Sequence, residues 1–224
     1  MAFFNSDYLL FFQELAQNNH KEWFDLNRSR YEDNVKVPFR AFTQLAINAM
    51  AIEDAAFSDL LAKDCVFRIN RDVRFSKDKN PYKLMCSALI APNGKKSKAS
   101  NGIYFEFSPE HVRFYGGVYE IDKEDMYAVR EGIIQNPREF SSLIEAKAFK
   151  SVFGKVHGEK NKILPAEFKN AAIEEPLIFN KHWYFFAEYP ASDLLKSNLL
   201  DQLIRAYLTA RPLELFFDQF IQQR

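Results

Sequence analysis

Three strand-like runs at 84–91, 102–107 and 112–119 are separated only by short turn signals, and this spacing constrains the fold more than any other feature. Asn93-Gly94 marks the first turn and Ser108-Pro109-Glu110 the second. Connections this short can join only antiparallel neighbours, because a parallel pair needs a crossover of a dozen or more residues. Two further runs read as strands. One is 66–75, and the other is the ring-rich 182–189 with its sequence HWYFFAEY.

Helical periodicity lies on both sides of this block. Ser6 reads as an N-cap for a helix with Tyr8, Leu9, Phe12, Leu15 and Ala16 on one stripe. Asn19 reads as the cap of a second helix, with Glu22 completing a capping box and Trp23, Leu26 and Tyr31 supplying its apolar face. Pro38 interrupts the stripe, which Phe39, Phe42, Leu45, Ala46 and Ala49 continue. After the strands, Asp122 caps a helix through Met126, Val129 and Ile133. Asn136-Pro137-Arg138-Glu139 begins another. Lysines at 155, 160 and 162 mark a loop, and amphipathic segments at 192–210 and 213–222 close the chain. The expected class is α+β: a mainly antiparallel central sheet flanked by helices from both chain ends, with residues 1–224 as one domain.

Composition fits a packed core, with 23 phenylalanines and only 7 glycines in 224 residues. Cys65 and Cys86 sit in apolar runs and read as small buried hydrophobes. The first residues lack a basic stretch followed by an apolar one, and no apolar run approaches the roughly 18 residues that span a bilayer. A cytoplasmic protein without a membrane partner is expected.

Net charge is zero, which argues against a general nucleic-acid or membrane-surface binder. The charge is nevertheless uneven. Ten cations stand against Asp64, Asp72 and Asp78 between Lys63 and Lys98. If 65–75 is extended, Cys65, Phe67, Ile69, Arg71, Val73 and Phe75 share one face, and Arg68, Asn70, Asp72 and Arg74 share the other. Arg71 is then the one charge on an apolar face. It requires a carboxylate or a bound anion as partner, because an unpaired buried charge costs several kcal/mol or more.

The string RDVRFSKDKNPYK, residues 71–83, resembles the signature of a bacterial and fungal family catalogued as domain-of-unknown-function family 2461. Arg71, Asp72, Arg74, Phe75, Ser76, Asp78, Lys79, Pro81, Tyr82 and Lys83 carry the likeness. Asn18 to Phe24 and the Gly116-Gly117 turn leading to a helix with Arg130 extend it over most of the chain. Asn80 stands where a small hydroxyl residue is expected, and Glu120-Ile121-Asp122 where a proline is more common. The resemblance implies a cytoplasmic α+β domain and no particular activity.

Three functions are consistent with the charged segment. The first is a pocket for a phosphate- or carboxylate-bearing ligand, formed by Arg68, Arg71, Arg74, Lys79, Tyr82 and Lys83. Arg71 would be structural there and the others would touch the ligand. Gly116-Gly117 would let backbone N–H groups approach it, and Asp72 or Asp78 would serve as base in a hydrolase or phosphoryl-transfer enzyme. The second is a nucleic-acid-binding module using Lys95, Lys96 and Lys98 on a hairpin tip and Phe75, Tyr82 and Tyr104 for stacking. The third is a structural or interaction protein whose cations simply pair with Asp72, Asp78, Glu106 or Glu120. No phosphate loop, GxGxxG, GxSxG or HExxH motif is present, and no metal or cofactor is implied. His182 reads as a core or edge residue, and His111 as a solvated turn residue. Glu120, Asp122, Glu124 and Asp125 read as helix N-terminal charge, with Mg²⁺ binding as the alternative.

Overall fold

A computed structural model describes residues 2–97 and 101–221. In chain order it contains α1 (Ser6–Gln17), α2 (Lys21–Leu26), α3 (Arg28–Tyr31), α4 (Val37–Glu53), α5 (Ala62–Cys65), β1 (Cys86–Ile90), β2 (Ile103–Phe107) and β3 (His111–Val118). These are followed by α6 (Lys123–Gln135), α7 (Pro137–Glu145), α8 (Lys147–Phe153), α9 (Ala166–Lys169), α10 (Ala171–Glu174), β4 (Trp183–Pro190) and α11 (Leu199–Asp218). The strands form one antiparallel sheet in the order β1-β2-β3-β4, so the class is α+β. Among the described residues, no helix is long and apolar enough to cross a membrane. Lys98 of the proposed hairpin tip and Gln222 of the last predicted helix lie outside the described residues.

The chain divides into two compact units. Unit 1 comprises Met1–Lys95, Tyr104–Phe114 and Glu188–Ile204, and unit 2 comprises Lys96–Ile103, Tyr115–Ala187 and Arg205–Arg224. The core of unit 1 is largely rings. Phe39 and Phe42 of α4 meet Phe105 and Phe107 of β2 at centroid separations of 5.4 to 5.9 Å. Tyr8 of α1 is fully buried and donates its hydroxyl to the Phe107 carbonyl at 3.1 Å. Cys86 is buried as well, and that burial pushes its thiol up to about 12, far from any reactive range. In unit 2, Trp183 and Phe185 of β4 point inward. Trp183 donates from its indole to the Leu177 carbonyl at 2.9 Å, and Phe185 packs against Phe149 and Phe153 of α8.

Several boundaries differ from the sequence expectation for identifiable reasons. Asn5, one residue before Ser6, caps α1 by accepting from the Asp7 N–H. His20, one residue after Asn19, caps α2 through the Trp23 N–H. Leu26, expected on an apolar face, is 87 % exposed. Before Pro38 the helix widens into a π turn at Glu32–Lys36, and such a turn relieves the clash of a proline ring with the carbonyl four residues back. Asn136 spends its side chain on the Gly132 carbonyl, closing α6 rather than opening α7. The expected break near Pro212 is absent. Helix α11 runs through it, because buried Leu213, Glu214, Phe216 and Phe217 hold the next turn in place.

Candidate functional site

The segment 66–75 is not a continuous strand. It pairs with 81–88 through isolated antiparallel bridges, Val66 with Ala88 and Asn70 with Tyr82. Backbone bonds support them from Phe67 N to Ser87 O, Lys83 N to Ile69 O and Arg71 N to Pro81 O. Between the bridges one side advances by four residues and the other by six, so the 82–88 side is bulged. Beyond Arg71 the ladder stops. Asp72 accepts from the Arg74 N–H at 3.2 Å, and Asp78 accepts from the Asn80 N–H at 3.0 Å. These are Asx turns, in which a short carboxylate offers the backbone an alternative to a ladder. Phe75, expected to face inward, therefore lies on the loop and is 97 % exposed.

The six expected site residues divide into two sets. Arg71 finds the carboxylate it requires: its Nη1 donates to Asp78 at 2.5 Å and to the Asn80 carbonyl at 3.1 Å. Arg74 forms a fork on Asp72, with its Nη2 at 2.6 Å. Lys79 turns back onto the carbonyls of Val73 and Arg74 at 3.0 and 3.5 Å. All three brace the loop. Tyr82 is 6 % exposed, and its ring stacks on Phe24 at 4.1 Å. It belongs to the packing and is not presented on a surface. Arg68 and Lys83 remain. Among the described residues neither makes an ion pair, and each lies close enough for Arg68 to disfavour the charge on Lys83. Lys83 is half-buried with its Nζ 5.4 Å from the centre of the Phe67 ring. Burial first, and Arg68 second, hold its ammonium below the usual lysine range.

Asn19 fixes Tyr82 from the helical side. Its Nδ2 donates to the Tyr82 carbonyl at 3.0 Å, and its Oδ1 accepts from the Tyr82 N–H at 3.1 Å. One side-chain amide thus substitutes for a strand partner. Asn19→Ala leaves both backbone groups unpaired and is expected to lower stability by about 1–3 kcal/mol. Hydrogen exchange checks this prediction: the Arg71 and Lys83 amides should exchange faster than those of β2, whereas uniform change would mean the clasp holds nothing locally.

Phe67 links the two cations to a polar network that the sequence reading missed. It lies 6.1 Å from the Tyr104 ring. The Tyr104 hydroxyl donates to Glu106 at 3.0 Å, and the other Glu106 oxygen meets His111 Nε2 at 3.1 Å and Arg113 Nη1 at 3.5 Å. Arg113 also reaches Glu188 at 2.6 Å. His111, expected in solvent, is mostly buried against this carboxylate. The missed signal was strand alternation: Tyr104 and Glu106, like His111 and Arg113, are two apart and face the same side. Lys95 does not extend outward. It donates to the carbonyls of Lys63 and Val66 at 2.9 and 3.4 Å.

The Gly116-Gly117 pair, in unit 2, does not offer its amides to a ligand. Gly117 donates at 3.0 Å to Glu214, which also accepts from Gly102 at 3.3 Å. His182 takes its expected place beside the sheet and accepts from the Glu159 N–H at 3.1 Å. Asp122 caps α6 by accepting from the Asp125 N–H at 2.9 Å. No group of three or more His, Cys, Asp or Glu side chains among the described residues is placed to hold a metal ion.

Compared with protein-family models, residues 7–216 match the one described as a conserved hypothetical protein, DUF2461. No curated protein matches the chain.

Proposed function

This chain belongs to the conserved hypothetical protein family DUF2461, and on that premise we propose that it binds a small phosphate- or carboxylate-bearing ligand at Arg68 and Lys83. One observation carries the reading: a half-buried lysine is held beside an arginine with no acid paired to either. Such a juxtaposition opposes folding, and a bound anion relieves it. An arginine fork supplies directional bonds and a lysine supplies point charge, which together suit an oxyanion. Arg71, Arg74, Lys79 and Tyr82 serve the site indirectly by fixing the loop and its flanks. The neighbouring Tyr104–Glu106–His111 network gives the site an acid–base pair within one strand hairpin, which makes hydrolysis or phosphoryl transfer the reaction class to assay.

The test is a melting series with inorganic phosphate, pyrophosphate and citrate on the wild type, Lys83→Ala and Arg74→Ala. A ligand at 100 times its Kd adds about 2.7 kcal/mol. The expected result is a rise of several degrees in the wild type and in Arg74→Ala, and a smaller rise in Lys83→Ala. The affinity should also fall with rising pH before an ordinary lysine would titrate, because Lys83 loses its proton early. An equal rise in wild type and Lys83→Ala would remove this site from consideration.

A further inference from the structure

Arg130, on α6 in unit 2, is 1 % exposed and has no carboxylate partner among the described residues. Its Nη2 donates to the Asn180 carbonyl at 2.8 Å, and the Phe168 ring of α9 lies 5.7 Å from the guanidinium carbon. Its Nε, fully enclosed, has no acceptor. Neither contact neutralises the charge. Buried arginines are paired or hydrogen-bonded throughout, because an uncompensated guanidinium costs several kcal/mol. Arg71, by contrast, sits nearer solvent and has a full carboxylate.

The second orphan is on the same partner. Asn180 is 1 % exposed, and its Oδ1 accepts from nothing. Its orientation is fixed, because Nδ2 donates to the His157 carbonyl at 3.3 Å. The backbone around it is fixed too: Asn180 N donates to Leu177 O, and Lys160 bridges Asn180. Gly158 gives the side chain room, since a Cβ there would fall 2.4 Å from Asn180 Nδ2. One residue thus presents an unused cationic donor and its hydrogen-bonded neighbour an unused acceptor.

We infer that Arg130 and Asn180 hold a small oxyanion that carries one O–H. The anion's bare oxygen accepts from Arg130 Nε and neutralises its charge, and its O–H donates to Asn180 Oδ1. Hydrogen phosphate and the monoanion of a phosphate monoester have this chemistry. Sulfate has the charge without the proton and would leave Asn180 Oδ1 unpaired, and a site built to pair a hydroxyl rejects the analogue that lacks it. The inference rests on atoms in unit 2 alone and does not depend on Arg68 or Lys83.

Calorimetric titration with inorganic phosphate and with sulfate tests it, using the full chain as wild type, Lys83→Ala, Arg130→Met and Asn180→Ala. Lys83→Ala should keep a phosphate site that discriminates against sulfate by at least tenfold. Arg130→Met should lose that site. Asn180→Ala should retain binding while phosphate and sulfate become equal. Failure of the Lys83 reading would remove only the site that Lys83→Ala abolishes, so the two outcomes separate. Should Arg130→Met fail to fold, a crystal of the wild type grown in phosphate gives the answer directly. Tetrahedral density on Arg130 Nε and Asn180 Oδ1 would support the site, and a single water bridging the two atoms would overturn it. Equal affinity of Lys83→Ala for phosphate and sulfate, or no binding at all, would also overturn it.

Discussion

Gly117→Ala is expected to yield little or no folded protein. Gly117 has φ of +91°, a region where a side chain is strained, and this alone costs on the order of 1–3 kcal/mol. The space is closed as well. An added Cβ would stand 2.3 Å from the Trp183 carbonyl oxygen and 3.1 Å from Phe185. The first obstacle is backbone in a central hydrogen-bonded strand, which cannot rotate away as a side chain would. Shifting β4 would disturb Trp183, whose indole is tied to Leu177 and whose ring is fully buried. It would also break the Gly117 N–H bond to Glu214. The combined loss should exceed about 4 kcal/mol, in the range that only backbone conflicts and core disruption reach. Gly154→Ala is the control: φ is also positive, at +74°, but nothing lies within 4 Å of the added Cβ. It should fold with a loss of about 1–2 kcal/mol of conformational strain alone. Denaturant melts of the two variants decide the matter, and similar midpoints would show that the close approach to Trp183 is not rigid.

The particular elements show why the fold was easier to read than the site. Strands β1 to β3 followed from local turn chemistry, and the helices from apolar periodicity, because both signals are carried by neighbouring residues. The 66–75 segment kept its alternation as far as Arg71, where Cys65 and Ile69 are buried and Arg68 and Asn70 are exposed. It failed as a strand beyond that point, since Asp72 and Asp78 fold back on their own backbone. The requirement that Arg71 be paired was legible from its place on an apolar face, and Asp78 answers it. What the sequence left open was which cations would be consumed. Arg74 and Lys79 satisfy partners within their own loop, whereas Arg68 and Lys83 do not, and one-dimensional spacing carries no trace of that difference. Long-range partners were hidden for the same reason. Asn19 reaches Tyr82 across 63 positions and Arg130 reaches Asn180 across 50. Nothing local to Asn19 distinguishes a clasp from a helix cap, and capping is what its neighbourhood suggested.

Glu214→Ala should cost about as much as the glycine change, and Glu214→Gln should reveal why through pH. The carboxyl is fully buried on α11, with one oxygen accepting from Gly117 and the other from Gly102. Removing it leaves two buried N–H groups without an acceptor, at about 1–3 kcal/mol each, and opens a cavity among large side chains. Burial pushes the Glu214 acid well above the usual carboxylate range. The two backbone donors and Arg211 pull it down, while Asp218 pushes it up, and burial dominates. The folded protein therefore keeps a proton that the unfolded chain releases near its ordinary value of about 4.3. Stability from this proton is full below that value and is lost as pH rises through the raised folded value. Glu214→Gln has no proton to lose. It should begin less stable than the wild type near pH 4, because its NH₂ faces one of the two donors. The gap should then narrow steadily toward neutrality, while Glu214→Ala stays well below both. A wild-type-to-Gln gap that is flat from pH 4 to pH 8 would mean the two N–H bonds keep the carboxyl ionised in the folded state. Glu214 would then be a buried anion clamped between two strand amides, and its burial would be the smaller influence.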